Sequence, residues 1–281
     1  MIFKALEKYW KALMWIPLIL LVISVGILAF NVQQTGSIMK RDVELVGGKM
    51  IIIESDADIQ KIKEILPYAN VRATSGLTKN IIVEIPYDRD EKTAIDEIKK
   101  IAEVKSEPAV RTVGPALGSI FFQQAMVALI AAFIMMSIVV FVIFRSAAPS
   151  TIVILAALTD IVVTMALLSL MNVSLSLPVF AALLTLIGYS VDTDILLTSE
   201  LLKSGEEKNK SIRQAMKTGL TMTFTTLAAL LAMYVFSGSY VIEQIAIVLI
   251  VGLIVDIFAT WLTNAGVLRW YLERKEKKGI R

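Results

Sequence analysis

Hydrophobic and polar positions in this chain fall into long blocks instead of short alternations. Charge-free apolar runs extend over Ala12–Phe30 and Ser119–Phe144, and three more, Ser150–Met171, Leu177–Ser199 and Thr218–Phe236, carry few or no charges. A sixth covers Gln244–Leu268. About 20 apolar residues in a helix cross the roughly 30 Å hydrocarbon core of a bilayer. The pattern therefore predicts a polytopic α-helical membrane protein with six transmembrane helices. The first run is rich in Trp, Leu and Ile, with no small-x-small cleavage site before Asn31, which predicts an uncleaved span. Five segments follow: a terminus over 1–11, a first helix over 12–30, a domain over 31–118, a five-helix bundle over 119–268 and a basic tail over 269–281.

Between the first two spans the texture changes to short periods. Val43–Glu54 reads as a strand interrupted by Gly47 and Gly48. Asp56–Ala69 has Ile59, Ile62, Ile65 and Leu66 on one helical face, ended by Pro67 and Asn70. Two strands flank a hairpin turn at Gly76–Asn80, Asp90–Val104 forms a second amphipathic helix, and Ala109–Gly114 is a last short strand. The order β-α-β-β-α-β matches the ferredoxin-like split βαβ unit. Its 14 acids and 13 bases nearly balance and hold no catalytic constellation, so the insert reads as a binding or structural module.

Composition agrees with a membrane chain: 56% of residues are hydrophobic and 19% charged, against about 45–50% and about 25% in soluble domains. With no cysteine and no histidine, disulfides, thiolate metal sites and imidazole acid–base chemistry are excluded. No cofactor or metal site is expected, and a net charge of +3 gives no reason to expect nucleic acid as a partner. Placement of charge says more than its sum. Fifteen Lys and Arg lie in the N-terminal segment, at Arg145, in the loop after the fourth span and in the tail. The alternate short loops, at Asn172–Ser176 and Ser237–Ile242, contain none. The positive-inside rule then predicts cytoplasmic termini and an external insert.

Four aspartates interrupt the apolar runs: Asp160 in the third span, Asp192 and Asp194 in the fourth, and Asp256 in the sixth. An ionised Asp at mid-bilayer costs about 2.5–3.5 kcal/mol, so each must be protonated, paired or turned to a wet interior. Asp192 and Asp194 are about 200° apart on a helix and cannot share a face. Asp192 lies one turn after Gly188 and near Thr185, Asp194 one turn after Ser190, and Asp256 one turn after Gly252. Such small residues let a second helix approach. The functional reading is a proton relay centred on Asp192, with Asp160 or Asp256 as neighbours. The bland reading is a set of satisfied polar contacts between helices.

Several motifs carry a resemblance. Val43–Glu54 keeps the Gly47-Gly48 pair found after the first span of the SecD/SecF protein-export family, within the resistance-nodulation-division superfamily. Val113–Gly118 resembles the element that leads into its second span, and Thr159–Leu170 places Asp160 on a motif Asp. Gly188-Tyr189-Ser190 opens the fourth-span motif, and Thr223–Leu227 resembles the Thr-rich fifth span. The fourth span continues Val191-Asp192-Thr193-Asp194, which shifts the motif Asp by one position and leaves Asp192 and Asp194 both as candidates. Thr159 stands where the family has His, and Thr218, beside Lys217, where it has Arg. These departures resemble an archaeal-type member of the family's smaller kind. The resemblance implies use of the proton gradient to assist export of unfolded polypeptides through the Sec channel. The implied partners are a SecD-like second six-helix chain, that channel, its exported clients and membrane lipid.

Two rival functions are weighed against this. A proton-driven exporter of small molecules or lipids from the same superfamily needs two such halves and larger outer domains. An intramembrane aspartyl protease also uses two membrane Asp residues. However, the Gly-x-Gly-Asp spacing is missing and Pro115-Ala116-Leu117 precedes both aspartates. No enzymatic activity is expected.

Overall fold

The structure, a computed structural model, describes residues 9–74, 80–203 and 208–277. The first span, α1 (Trp15–Thr35), ends at Gly36 (φ +70°), whose N–H donates to the Val32 carbonyl. Only Pro17 and Ser24 of this helix are buried, so α1 leans on the bundle along one narrow stripe. A single helical turn, α2 (Val43–Val46), precedes β1 (Gly48–Glu54). The expected strand over Val43–Glu54 thus lacks its first five residues. Gly47, at φ +92°, turns the chain out of α2 and into the sheet, and β-branched Val43 and Val46 are held helical by tertiary contact. That contact is between backbones. A Cβ on Gly47 would lie 2.4 Å from the Pro115 Cα, and one on Gly118 would lie 2.7 Å from the Gly47 nitrogen. Gly118 therefore serves this internal approach.

The insert continues with α3 (Ile59–Ile65), β2 (Asn70–Ala73), β3 (Asn80–Ile85), α4 (Glu91–Ile101) and β4 (Ala109–Val113). Both helices begin at aspartate caps: Asp58 accepts from the Gln60 N–H, and Asp90 from the Thr93 N–H. The turn expected at Gly76–Asn80 lies, up to residue 79, outside the described residues. The sheet order is β2-β3-β1-β4 with every neighbouring pair antiparallel. Ile51, Ile53, Val83 and Ile85 point to the helices, where Ile62, Leu66 and Ile98 complete the core. Each such buried side chain contributes about 1.5–3 kcal/mol. The opposite face is buried as well, at Met50, Ile82 and Glu84. It rests on the near ends of the membrane helices, where the Asn80 amide donates to the Gly238 carbonyl at 3.2 Å.

The remaining spans are α5 (Pro115–Phe144), α6 (Ala147–Leu170), α7 (Leu177–Lys203), α8 (Lys208–Phe236) and α9 (Tyr240–Phe258). The last continues through a π-helical segment, Ala259–Asn264, into α10 (Ala265–Lys277). Among the described residues, six helices are long and apolar enough to cross a membrane. The chain is a multi-pass membrane protein, mostly helical, with one small sheet. Helices α6, α7 and α9 form the interior of the bundle, and α1, α5 and α8 show most of their surface to the outside. Gly252 permits the tight packing of α9 on α7, since a Cβ there would meet the Leu186 side chain at 2.4 Å. Gly219 of α8 similarly makes room for the Trp261 ring.

Candidate functional site

Three of the four membrane aspartates meet at the centre of the bundle. Asp160 on α6 and Asp194 on α7 are fully buried, and Asp256 on α9 is 1% exposed. Ser190 Oγ donates to Asp160 Oδ2. Thr193 Oγ1 donates to Asp256 Oδ2 at 3.2 Å. Thr260 Oγ1 lies 2.9 Å from Asp194 Oδ1 and 3.1 Å from Asp256 Oδ1. The Asn264 amide donates to Asp194 Oδ1 at 2.5 Å. Ser190, which serves Asp160, and Thr193, which serves Asp256, are three residues apart on α7, so the two acids sit at neighbouring places in the cluster. Among the described residues, no lysine or arginine is a partner of any of the three.

This geometry constrains the protons. A threonine hydroxyl has one hydrogen, so Thr260 cannot donate fully to two carboxylates at once. If either acid carries a proton, it can donate to the Thr260 oxygen while the Thr260 hydrogen goes to the other. Three adjacent negative charges without a cation are opposed by both desolvation and repulsion. Asp160 Oδ1, Asp194 Oδ2 and Asn264 Oδ1 are buried with no partner. The cluster thus has spare acceptors and too few hydrogens.

The π-helical segment positions two of these groups. Thr260 and Asn264 both fall within it, four and eight residues after Asp256. Such segments widen the turn locally and recur at functional sites. Sequence reasoning missed Thr193, Thr260 and Asn264. The polar spacing 256-260-264 was the available signal, although a π-helix is not legible from it.

Asp192, on which the sequence reading centred the relay, is exposed and makes no contact with the other three. The cause is helical rotation. With Asp194 turned inward between α6 and α9, a residue 200° away must turn outward. Gly188 and Tyr189 lie on this outer side too, and no atom comes within 4 Å of a Cβ built on Gly188. Ala181, Thr185, Gly188 and Asp192 form one open stripe along α7. Ser190 is buried and serves Asp160, while Gly252, Gly47 and Gly118 make close approaches within the chain.

A second polar network ties the insert to the bundle. Asp42 is fully buried, and its Oδ2 accepts from Arg72 at 3.0 Å and from the Tyr240 hydroxyl at 3.1 Å. Arg72 also pairs with Glu84. The Gln244 amide donates to the Tyr240 oxygen at 2.5 Å, and Ser176 donates to Gln244 Oε1 at 2.8 Å. Sheet, linker, α9 and the start of α7 are thereby joined. Nearby, Glu44 accepts from the Leu177 N–H at 3.2 Å, at the N-terminus of α7, where an anion is favoured by the helix dipole. Burial pushes the Glu44 carboxyl above its ordinary 4.5, Asp42 adds to this, and the Leu177 N–H and Arg111 oppose it.

The folded protein therefore binds this proton more readily than the unfolded chain, and the Glu44 contribution to stability falls as pH rises above 4.5. Glu44→Gln keeps an acceptor for Leu177. It is expected to raise the thermal midpoint at pH 7 and leave it unchanged below pH 4.5. Melting curves at the two pH values check this.

Residues 93–274 match the family described as protein export membrane protein SecD/SecF, C-terminal. Among curated relatives, SecF of Pyrococcus furiosus is 38% identical over 95% of this chain and 93% of its own length. SecF of Methanolacinia petrolearia is 38% identical, with 95% of each chain covered. Among solved structures, SecDF from Thermus thermophilus, titled a translocon-associated membrane protein, aligns with a TM-score of 0.77 at 22% identity. The alignment covers 94% of this chain and 38% of that one, so the chain spans well under half of SecDF.

Proposed function

Because the chain belongs to the SecD/SecF family of protein-export membrane proteins, we propose that it couples the proton gradient to export of unfolded polypeptides through the Sec channel. The carrying observation is the buried trio Asp160, Asp194 and Asp256, with the single Thr260 hydroxyl between two of them. A proton can occupy any of the three and change partners with small hydroxyl rotations. One proton crossing 150 mV releases roughly 3.5 kcal/mol, enough to bias helices that differ by a few kcal/mol.

In this reading a SecD-like six-helix chain covers the open stripe of α7. The stripe is small and polar, and Asp192 facing hydrocarbon would cost about 2.5–3.5 kcal/mol. We place both termini in the cytoplasm and residues 31–118 outside as a ferredoxin-like domain, which the Lys and Arg distribution and the strand order support.

The test is protein export in cells with and without this chain, each with and without a protonophore. The increment due to the chain is expected to vanish when the gradient collapses. An increment of undiminished size in the presence of protonophore would refute the coupling.

A further inference from the structure

Along α1 runs a feature that the export reading does not use. Pro17, Leu20, Ser24 and Ile27 of α1 face Val163, Ala166 and Leu170 of α6 and Phe258 of α9 across an almost wholly apolar cavity of about 340 Å³. Ten residues separate Pro17 from Ile27, or roughly 15 Å of helix, about half the hydrocarbon thickness. A helix of about 10 Å diameter and that length would occupy on the order of 1,000 Å³, more than the cavity holds. Water is disfavoured there because it finds almost no polar partner. The space suits a single hydrocarbon chain from one leaflet.

A polar cavity borders the apolar one at its insert-side end. One turn beyond Ile27 stands Asn31, and beside Leu170 stands Ser169. The two side chains are hydrogen-bonded at 2.8 Å. Both line this second cavity of about 620 Å³ together with Asn172, Lys40 and Arg41. Two cations and no carboxylate line it. Neither cation forms a salt bridge among the described residues. Arg41 stacks on Phe122 at 3.9 Å, which fixes its guanidinium plane. Burial lowers the Lys40 pKa, Arg72 and Lys63 add to this and Asp42 opposes it, so an anion at this place would stabilise the charged ammonium.

We propose that the protein holds one anionic phospholipid from the leaflet on the insert's side. Its acyl chain lies between α1, α6 and α9, and its phosphate sits against Lys40 and Arg41. The bound lipid fills the gap that α1 leaves along its narrow stripe of contact.

The probe is the full-length chain in detergent, incubated with equal phosphatidylglycerol and phosphatidylcholine and examined by native mass spectrometry. One retained phosphatidylglycerol per chain is expected, in clear excess over phosphatidylcholine. Lys40→Glu with Arg41→Glu should lower its occupancy at least tenfold, whereas Lys99→Glu with Lys100→Glu, the same charge change on α4, should not. Ser24→Phe, which fills the apolar cavity, should lower retention of both lipids. Equal retention of the two lipids, indifference to both sets of site substitutions, or displacement by inorganic phosphate alone would overturn the proposal. So would a copurifying polypeptide that excludes lipid from the wild-type chain.

Discussion

Asp194→Asn is expected to leave insertion and assembly intact while reducing gradient-dependent export by about a hundredfold, the range of a lost positioned proton-transfer group. The fold should survive because asparagine keeps an acceptor for Thr260 and Asn264 while removing one of three crowded acidic groups. What it loses is the capacity to take and release a proton. Asp192→Asn is the informative comparison. Asp192 is exposed on the open stripe of α7, so its substitution should reduce export by no more than a few-fold, through weaker contact with a partner chain. Export measured with and without protonophore in both variants decides the matter. If Asp192→Asn abolished the gradient-dependent fraction and Asp194→Asn spared it, the buried trio would be structural.

The largest effect on stability is expected at Gly47. Alanine there must adopt φ +92° and bring its methyl to 2.4 Å from the Pro115 backbone, which no side-chain movement can relieve. Backbone strain of this kind costs about 1–3 kcal/mol, and overpacking adds about 1–3 kcal/mol. A fall in the melting midpoint of about 5–15 °C follows for a chain of this size. Gly36 provides the control. It also has positive φ, +70°, yet nothing lies within 4 Å of its added Cβ, so Gly36→Ala incurs the dihedral strain alone. Equal midpoints for the two variants would show that α2 and the start of α5 separate freely.

Much of the architecture was legible in the sequence because it follows from composition over short windows. Hydrocarbon accepts only helices whose apolar length matches its thickness, so runs such as Ser119–Phe144 announce themselves. The helices and strands of the insert were legible from their periods, while the structure shows that Asp58 and Asp90 cap the helices. Val43–Val46 was misread as strand because its β-branched residues favour that state locally. Packing against Pro115–Gly118 overrides the preference. The π-helical turn left no local mark, and the partnership of Asp42, Arg72 and Tyr240 joins residues up to 198 positions apart.

The sequence by itself determined that aspartates enter the membrane and that Asp192 and Asp194 face opposite ways, since helical rotation per residue is fixed. Which of them turns inward was decided only by tertiary structure. A helix carries no record of its own azimuth: that is set by the neighbours it packs against, here Asp160 with its Ser190 donor, Leu186 against Gly252, and the Thr260–Asn264 pair presented by the widened turn.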